Sequence, residues 1–169
     1  MSMLILRLLH VLTGIFWVGT MTFVTLFLIP SLKEDGALMG RVFGGLVKRN
    51  YMVVMPLVAI LTILSGLAMI WVTSGGHLDM YMQTPSGHTF TMAGGLGIVG
   101  FLIGMFVARP AGMKAAGLGQ QMAAATDPAA KAALQAEIAA LQKRNGFATT
   151  LVTVLVLAAA AGMAIARYV

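Results

Sequence analysis

The run LLHVLTGIFWVGTMTF, residues 8–23, places one histidine, His10, inside an otherwise apolar stretch. A helix turns by about 100° per residue, so Gly14, Trp17 and Met21 share a face with His10, whereas Gly19 points away. Imidazole is a good ligand for iron or copper. The missing side chain of Gly14 leaves room for a planar ring, and Trp17 can stack on its edge or donate its indole N–H. The spacing therefore predicts a metal site at His10 for iron or copper, with room beside it for a planar cofactor.

A second interpretation gives His10 a purely structural role. Buried polar groups are almost always hydrogen-bonded, and Thr62 and Ser65 of the second apolar stretch are candidate partners. On the metal interpretation, one ring nitrogen binds the metal and a hydroxyl or carbonyl group holds the other nitrogen. Both interpretations place His10 towards the bundle interior, where ionisable side chains inside a span normally face.

The other two histidines lie together in the segment SGGHLDMYMQTPSGHTFTM, which also carries three methionines. His88 lies at the start of the third apolar stretch, and we predict that it faces His10 across a porphyrin as the second axial ligand. Thioethers suit Cu(I) or the sixth position of haem iron. The remaining candidate metal ligands are His77, Met80, Met82 and Met92.

The composition indicates that lipid is the solvent for much of this chain. Of its 169 residues, 59% are hydrophobic and 9% are charged, against roughly 25% charged in a soluble domain. There is no cysteine, which excludes disulfides, thiolate metal sites, iron–sulfur clusters and covalently attached haem. The net charge of +6 fits basic loops beside anionic lipid and does not indicate nucleic-acid binding.

Four apolar stretches are long enough to cross a bilayer, which takes about 20 residues each. We expect a single integral membrane domain over residues 1–169, with spans at about 4–30, 51–73, 90–108 and 147–166. The third span is expected to stop at Arg109-Pro110. The first is too long for the apolar region of a signal peptide, and we expect it to be retained.

The distribution of basic residues predicts the orientation of the spans. Segments 31–50 and 109–146 hold four and five Lys or Arg residues, whereas segment 74–89 holds none. The positive-inside rule then places both basic loops in the cytoplasm and both termini outside. All three histidines of the chain would lie on that outer side.

Both cytoplasmic loops are expected to be partly helical. The segment GALMGRVFGGLVKRN, residues 36–50, predicts a short helix in the membrane interface, weakened by its glycines. In the second loop, Asp127 before Pro128 is typical of a helix start. Asn145-Gly146 is the expected break before the fourth span, with one unbroken helix from Pro128 to Arg167 as the alternative.

The third span carries the pattern GLGIVG at residues 95–100. A dinucleotide site requires a strand before this pattern and an acidic residue about 20 positions after it, and the sequence offers neither. Gly97, Gly100 and Gly104 instead share a helix face. Small residues on one face predict the close approach of another helix or of a flat cofactor.

The pattern H-x3-G-x2-W-x-G, here His10, Gly14, Trp17 and Gly19, resembles the first helix of several bacterial membrane families. These are the DUF2269-type and CopD-like small membrane proteins, the membrane domain of cytochrome-linked urate oxidases, and HemJ-type protoporphyrinogen oxidases. In the HemJ-type family the first-helix histidine is associated with b-type haem, which implies a haem ligand role for His10. The resemblance also implies a multi-pass protein of the bacterial cytoplasmic membrane.

These observations predict an all-α protein: a four-transmembrane-helix bundle with both termini outside and a longer helical cytoplasmic loop between helices three and four. The predicted function is binding of b-type haem, for electron transfer or haem handling, with His10 as an axial ligand. One alternative is a cofactor-free structural or accessory subunit of a larger respiratory or photosynthetic complex, and another is copper handling by the outer His and Met residues. The expected partners are the lipid bilayer and other membrane subunits or a second copy of the chain, with no nucleic acid.

Overall fold

The computed structural model describes residues 2–169, except for the side chain of residue 37. The helices are α1 (Met3–Leu32), α2 (Gly36–Lys48), α3 (Tyr51–Thr73), α4 (Leu78–Gln83), α5 (Pro85–Ala124) and α6 (Pro128–Ile165), followed by a short 3₁₀ turn (Ala166–Tyr168). Within the described residues, four of the helices, α1, α3, α5 and α6, are long and apolar enough to cross a membrane. The predicted all-α fold, with four helices long and apolar enough to cross a membrane, is confirmed. The placement of both termini outside stays a prediction.

The four long helices form a ring in chain order, with α1 and α5 diagonally opposite. α1 packs along α3 and α5 packs along α6 as two antiparallel hairpins, and the contacts between the hairpins are less extensive. The alternating direction brings both termini, α4 and all three histidines to one end of the bundle, here named the terminal end. The hydroxyl of Ser86 donates to the carbonyls of Ala166 and Val169 there, which ties the C-terminus to the start of α5. The opposite end, with α2 and the turn between α5 and α6, is the basic end.

Small and medium-sized side chains fill the space between the helices. The central buried cluster consists of Trp17, Met55, Ala59, Val152 and Val156. Small residues allow helix backbones to approach closely, which matters in lipid because burial of apolar surface gives little driving force there. Large apolar side chains are exposed along all four long helices. This is expected for a surface in contact with lipid.

Two π-helical turns interrupt the long helices at equivalent places. They span Val24–Leu28 in α1 and Gly104–Ala108 in α5, and each ends two residues before a proline, Pro30 or Pro110. Proline lacks an N–H, and its ring crowds the carbonyl of the preceding turn. The wider π turn relieves this crowding. α5 therefore continues past Pro110 to Ala124 as a helix, and the stop of the third membrane span at Arg109-Pro110 stays a prediction.

The predicted helix starts are confirmed, and one predicted break is wrong. The carboxylate of Asp35 accepts from the N–H of Leu38 at 2.8 Å and caps α2. Asp127 accepts from two N–H groups in the first turn of α6. α6 then runs unbroken through Asn145-Gly146 to Ile165, as in the alternative prediction. A mid-helix glycine costs only about 1 kcal/mol, and packing of α6 along α5 on both sides of this dipeptide outweighs that cost. The short helix α4 was not predicted.

Candidate functional site

His10 lies half-buried between α1 and α3, with its ring turned towards α3. Its Nδ1 is 2.7 Å from the backbone carbonyl oxygen of Thr62 and 3.5 Å from the hydroxyl of Ser65. A carbonyl oxygen can only accept a hydrogen bond, so Nδ1 carries the hydrogen and donates it. Thr62 and Ser65 are the two partners expected if His10 has a purely structural role, and the contact with both is confirmed.

The imidazole ring of His10 fits into a notch formed by Gly66. A Cβ atom on Gly66 would be 2.8 Å from Cε1 of His10 and 3.1 Å from Nδ1, closer than ordinary contacts allow. Any other residue at position 66 would therefore displace the ring. Sequence reasoning missed Gly66, although its position one helical turn after Thr62 places the two residues on one face of α3.

The second ring nitrogen of His10, Nε2, makes no hydrogen bond to any of the described residues. It is also absent from the buried polar atoms that lack a partner, among which Arg109 Nε is the sole example in residues 2–169. Nε2 therefore keeps some accessible surface. In the neutral ring this nitrogen carries a lone pair and can accept a hydrogen bond or bind a metal.

A chain of threonine hydroxyls sets the register of α1 against α3. The Thr62 hydroxyl is 2.8 Å from the Thr13 hydroxyl, which donates in turn to the carbonyl of Leu9 at 2.8 Å. The Thr62 hydroxyl also lies 2.9 Å from the carbonyl of Val58 on its own helix. This register brings His10 level with Gly66.

The face predicted from the helical wheel is real, and it packs against α3. A Cβ atom on Gly14 would be 3.6 Å from the Cγ2 methyl group of Thr62. Trp17 is 6% exposed and belongs to the core cluster with Met55 and Ala59. The space that Gly14 was predicted to leave for a planar ring is therefore filled by Thr62. Roles for Gly14 and Trp17 beside a cofactor stay predictions.

The remaining candidate ligands are exposed at the terminal end. His77 precedes α4, and His88 lies in the first turn of α5, on the helix diagonally opposite α1. In the described part of the chain, no group of three or more His, Asp or Glu side chains could hold a metal ion. The role of His88 as a second axial ligand stays a prediction, as do the roles of the other exposed residues, His77, Met80, Met82 and Met92.

An apolar recess of about 510 Å³ opens at the same end of the bundle. It lies between α3, α4 and α5, and its lining includes Trp71, Leu78, Met82 and Thr91. His10 does not line it, so this recess is separate from the Gly66 notch. His77 and His88 do not line the recess either.

Comparison of the chain with models of protein families, with curated proteins and with solved structures finds no match in any of the three. The resemblance carried by His10, Gly14, Trp17 and Gly19 therefore stays a prediction.

Proposed function

We propose that this protein binds b-type haem at the terminal end of the hairpin formed by α1 and α3. In this proposal Nε2 of His10 is an axial ligand, and the protein serves electron transfer or haem handling. The supporting observation is the 2.7 Å hydrogen bond from Nδ1 to the carbonyl oxygen of Thr62. Metal-bound histidines in proteins typically donate their other ring N–H to a carbonyl or carboxylate group, which fixes the tautomer and the ring orientation.

The residues around His10 fit the role of ligand but restrict the direction of approach. Gly66 and Thr62 hold the ring from the side of α3 and leave Nε2 without a partner among the described residues. The contact between Gly14 and Thr62 closes the space beside Gly14. A porphyrin would therefore approach Nε2 from outside the contact between the two helices. When bound, the iron would supply one-electron chemistry, and this chain would supply the ligand and its orientation.

The second candidate function is that of a cofactor-free accessory subunit in a larger membrane complex. The specific observation in its favour is that His10 is already accommodated by packing, through its bond to Thr62 and the notch at Gly66. A histidine that only joins two helices needs these same contacts. The two candidate functions make different predictions for one atom, Nε2 of His10. Only the haem proposal gives this nitrogen a binding partner.

The absorption spectrum of the protein, expressed in a bacterial membrane and purified in mild detergent, tests the proposal. We expect a Soret band in the wild type and its loss in His10→Ala, with far-UV circular dichroism and the elution volume unchanged. His77→Ala is the matched control, because it removes an exposed histidine at the same end of the bundle. This variant should retain the haem.

Further variants separate the remaining candidates. His88→Ala should shift the absorption bands if His88 is the second axial ligand. Gly66→Ala should also shift them, because it displaces the ring of His10. A wild type free of both haem and copper, with His10→Ala assembling normally, would instead support the accessory subunit. Copper without haem, lost on substitution of Met80 and Met82, would support copper handling.

A further inference from the structure

A small recess lies between α5 and α6 at the basic end, far from His10. Its volume is about 180 Å³. Val107, Pro110 and Leu141 give it an apolar lining, and Lys114 and Arg144 add two cationic side chains. The lining thus combines an apolar surface with positive charge.

The span limits predicted from the sequence place this recess at the edge of the apolar core of the membrane. The apolar segment of α5 ends at Ala108, and that of α6 begins at Phe147. At a rise of about 1.5 Å per residue, Pro110 and Arg144 lie within about 5 Å of those ends. The head-group layer on each side of a bilayer is roughly 5–7 Å thick. The recess therefore lies at the depth of the lipid head groups.

The positive charge of the recess is only partly neutralised by the protein itself. Lys114 Nζ is 2.8 Å from a carboxylate oxygen of Glu137, and both side chains are largely exposed. This is the one ion pair among residues 2–169, so Arg144 has no carboxylate partner there.

We propose that this recess binds the head group of an anionic phospholipid, with the phosphate at Arg144 and an acyl chain along the apolar lining. A guanidinium group matches a phosphate group with two parallel hydrogen bonds. Val107 and Leu141 offer an apolar surface that an inorganic anion would not use. Basic recesses between membrane helices are suited to such head groups. This inference does not depend on the haem proposal.

Lipid titration of the delipidated protein in a neutral detergent tests the inference. Phosphatidylglycerol is the anionic probe and phosphatidylcholine the zwitterionic one, and the readouts are thermal unfolding and lipid retention in native mass spectrometry. We expect phosphatidylglycerol to be retained and to raise the Tm, with little effect of phosphatidylcholine. Arg144→Gln should weaken phosphatidylglycerol binding at least tenfold, while Arg144→Lys, which keeps the charge, should weaken it less.

Lys143→Gln is the matched control, because it removes the same charge one residue away from an exposed position outside the recess. It should leave the binding of phosphatidylglycerol unchanged. Equal losses in Arg144→Gln and Lys143→Gln would overturn the inference in favour of diffuse surface charge. The lipid assignment also fails if inorganic phosphate raises the Tm as much as phosphatidylglycerol does, or if neither lipid is preferred. The Tm and circular dichroism of each variant without lipid show whether it is folded.

Discussion

Substitution of Gly66 by alanine tests whether the ring of His10 rests on the backbone of α3. The added Cβ would lie 2.8 Å from Cε1 of His10, whereas ordinary contacts begin at 3.4 Å. The ring must therefore retreat by about 0.6 Å. A retreat of that size would stretch the 2.7 Å hydrogen bond to the Thr62 carbonyl towards the upper limit of about 3.2 Å for N–H···O bonds.

The expected change in the free energy of unfolding on Gly66→Ala combines two opposing effects. Overpacking of a tight contact costs typically about 1–3 kcal/mol, and alanine favours a helix over glycine by about 1 kcal/mol. Gly66→Ala alone should therefore destabilise the protein by up to about 2 kcal/mol. In a His10→Ala background only the second effect remains, and the same substitution should be neutral or stabilising. The coupling energy between the two sites is expected to be about 1–3 kcal/mol.

Equilibrium unfolding by dodecyl sulfate in mixed micelles measures the stability change of each variant and the coupling energy between positions 10 and 66. Trp17 lies in the contact between α1 and α3, and its fluorescence should follow separation of the helices. Gly19→Ala is the control, because a Cβ atom there has no heavy atom within 4 Å. This variant should be neutral or slightly stabilising whether or not His10 is present.

The contact between the His10 ring and Gly66 is refuted if Gly66→Ala has the same effect on unfolding stability with and without His10. Additive effects, agreeing within about 0.5 kcal/mol, indicate that two sites do not touch. The imidazole would then lie away from Gly66, and the orientation of Nε2 used in the haem proposal would have no basis.

Two further predictions concern topology and the glycine face of α5. The chain has no native cysteine, so Gln83→Cys should react with a membrane-impermeant maleimide added outside intact cells and Thr126→Cys should not; the reverse pattern would move His10 to the cytoplasmic side. A Cβ atom on Gly100 would lie 3.3 Å from Val156, whereas one on the exposed Gly95 has no heavy atom within 4 Å. Gly100→Leu should therefore lower unfolding stability by at least about 1–3 kcal/mol in the same assay and Gly95→Leu should not, and equal tolerance would contradict the packing of α5 on α6.

The sequence by itself determined the features that depend on local composition and spacing. Apolar runs of sufficient length predicted four spans, and the second coincides with Tyr51–Thr73. Asp127 marked a helix start, because a carboxylate satisfies the free N–H groups of the first turn whatever the rest of the chain does. The shared face of His10, Gly14 and Trp17 follows from helix geometry alone.

Local signals failed where packing between distant segments outweighs them. Asn145-Gly146 predicted a break before the fourth span, yet the helix runs through it, and the helix of the third span continues past Pro110. The π turn before Pro110 accommodates its ring, and the close packing of α6 on α5 maintains the helix through Gly146. Propensity is a weak local preference that tertiary contacts routinely override.

Only the tertiary structure decided what surrounds the ring of His10. Thr62 and Gly66 lie more than 50 residues away in sequence, and their contact with His10 depends on the register of α1 against α3. That register is set by the hydroxyls of Thr13 and Thr62 and by the close approach of the backbones. Sequence spacing identifies residues on one helix face but does not specify which atoms of the partner helix they meet. The hydrogen on Nδ1 and the accessible Nε2 are consequences of that pairing.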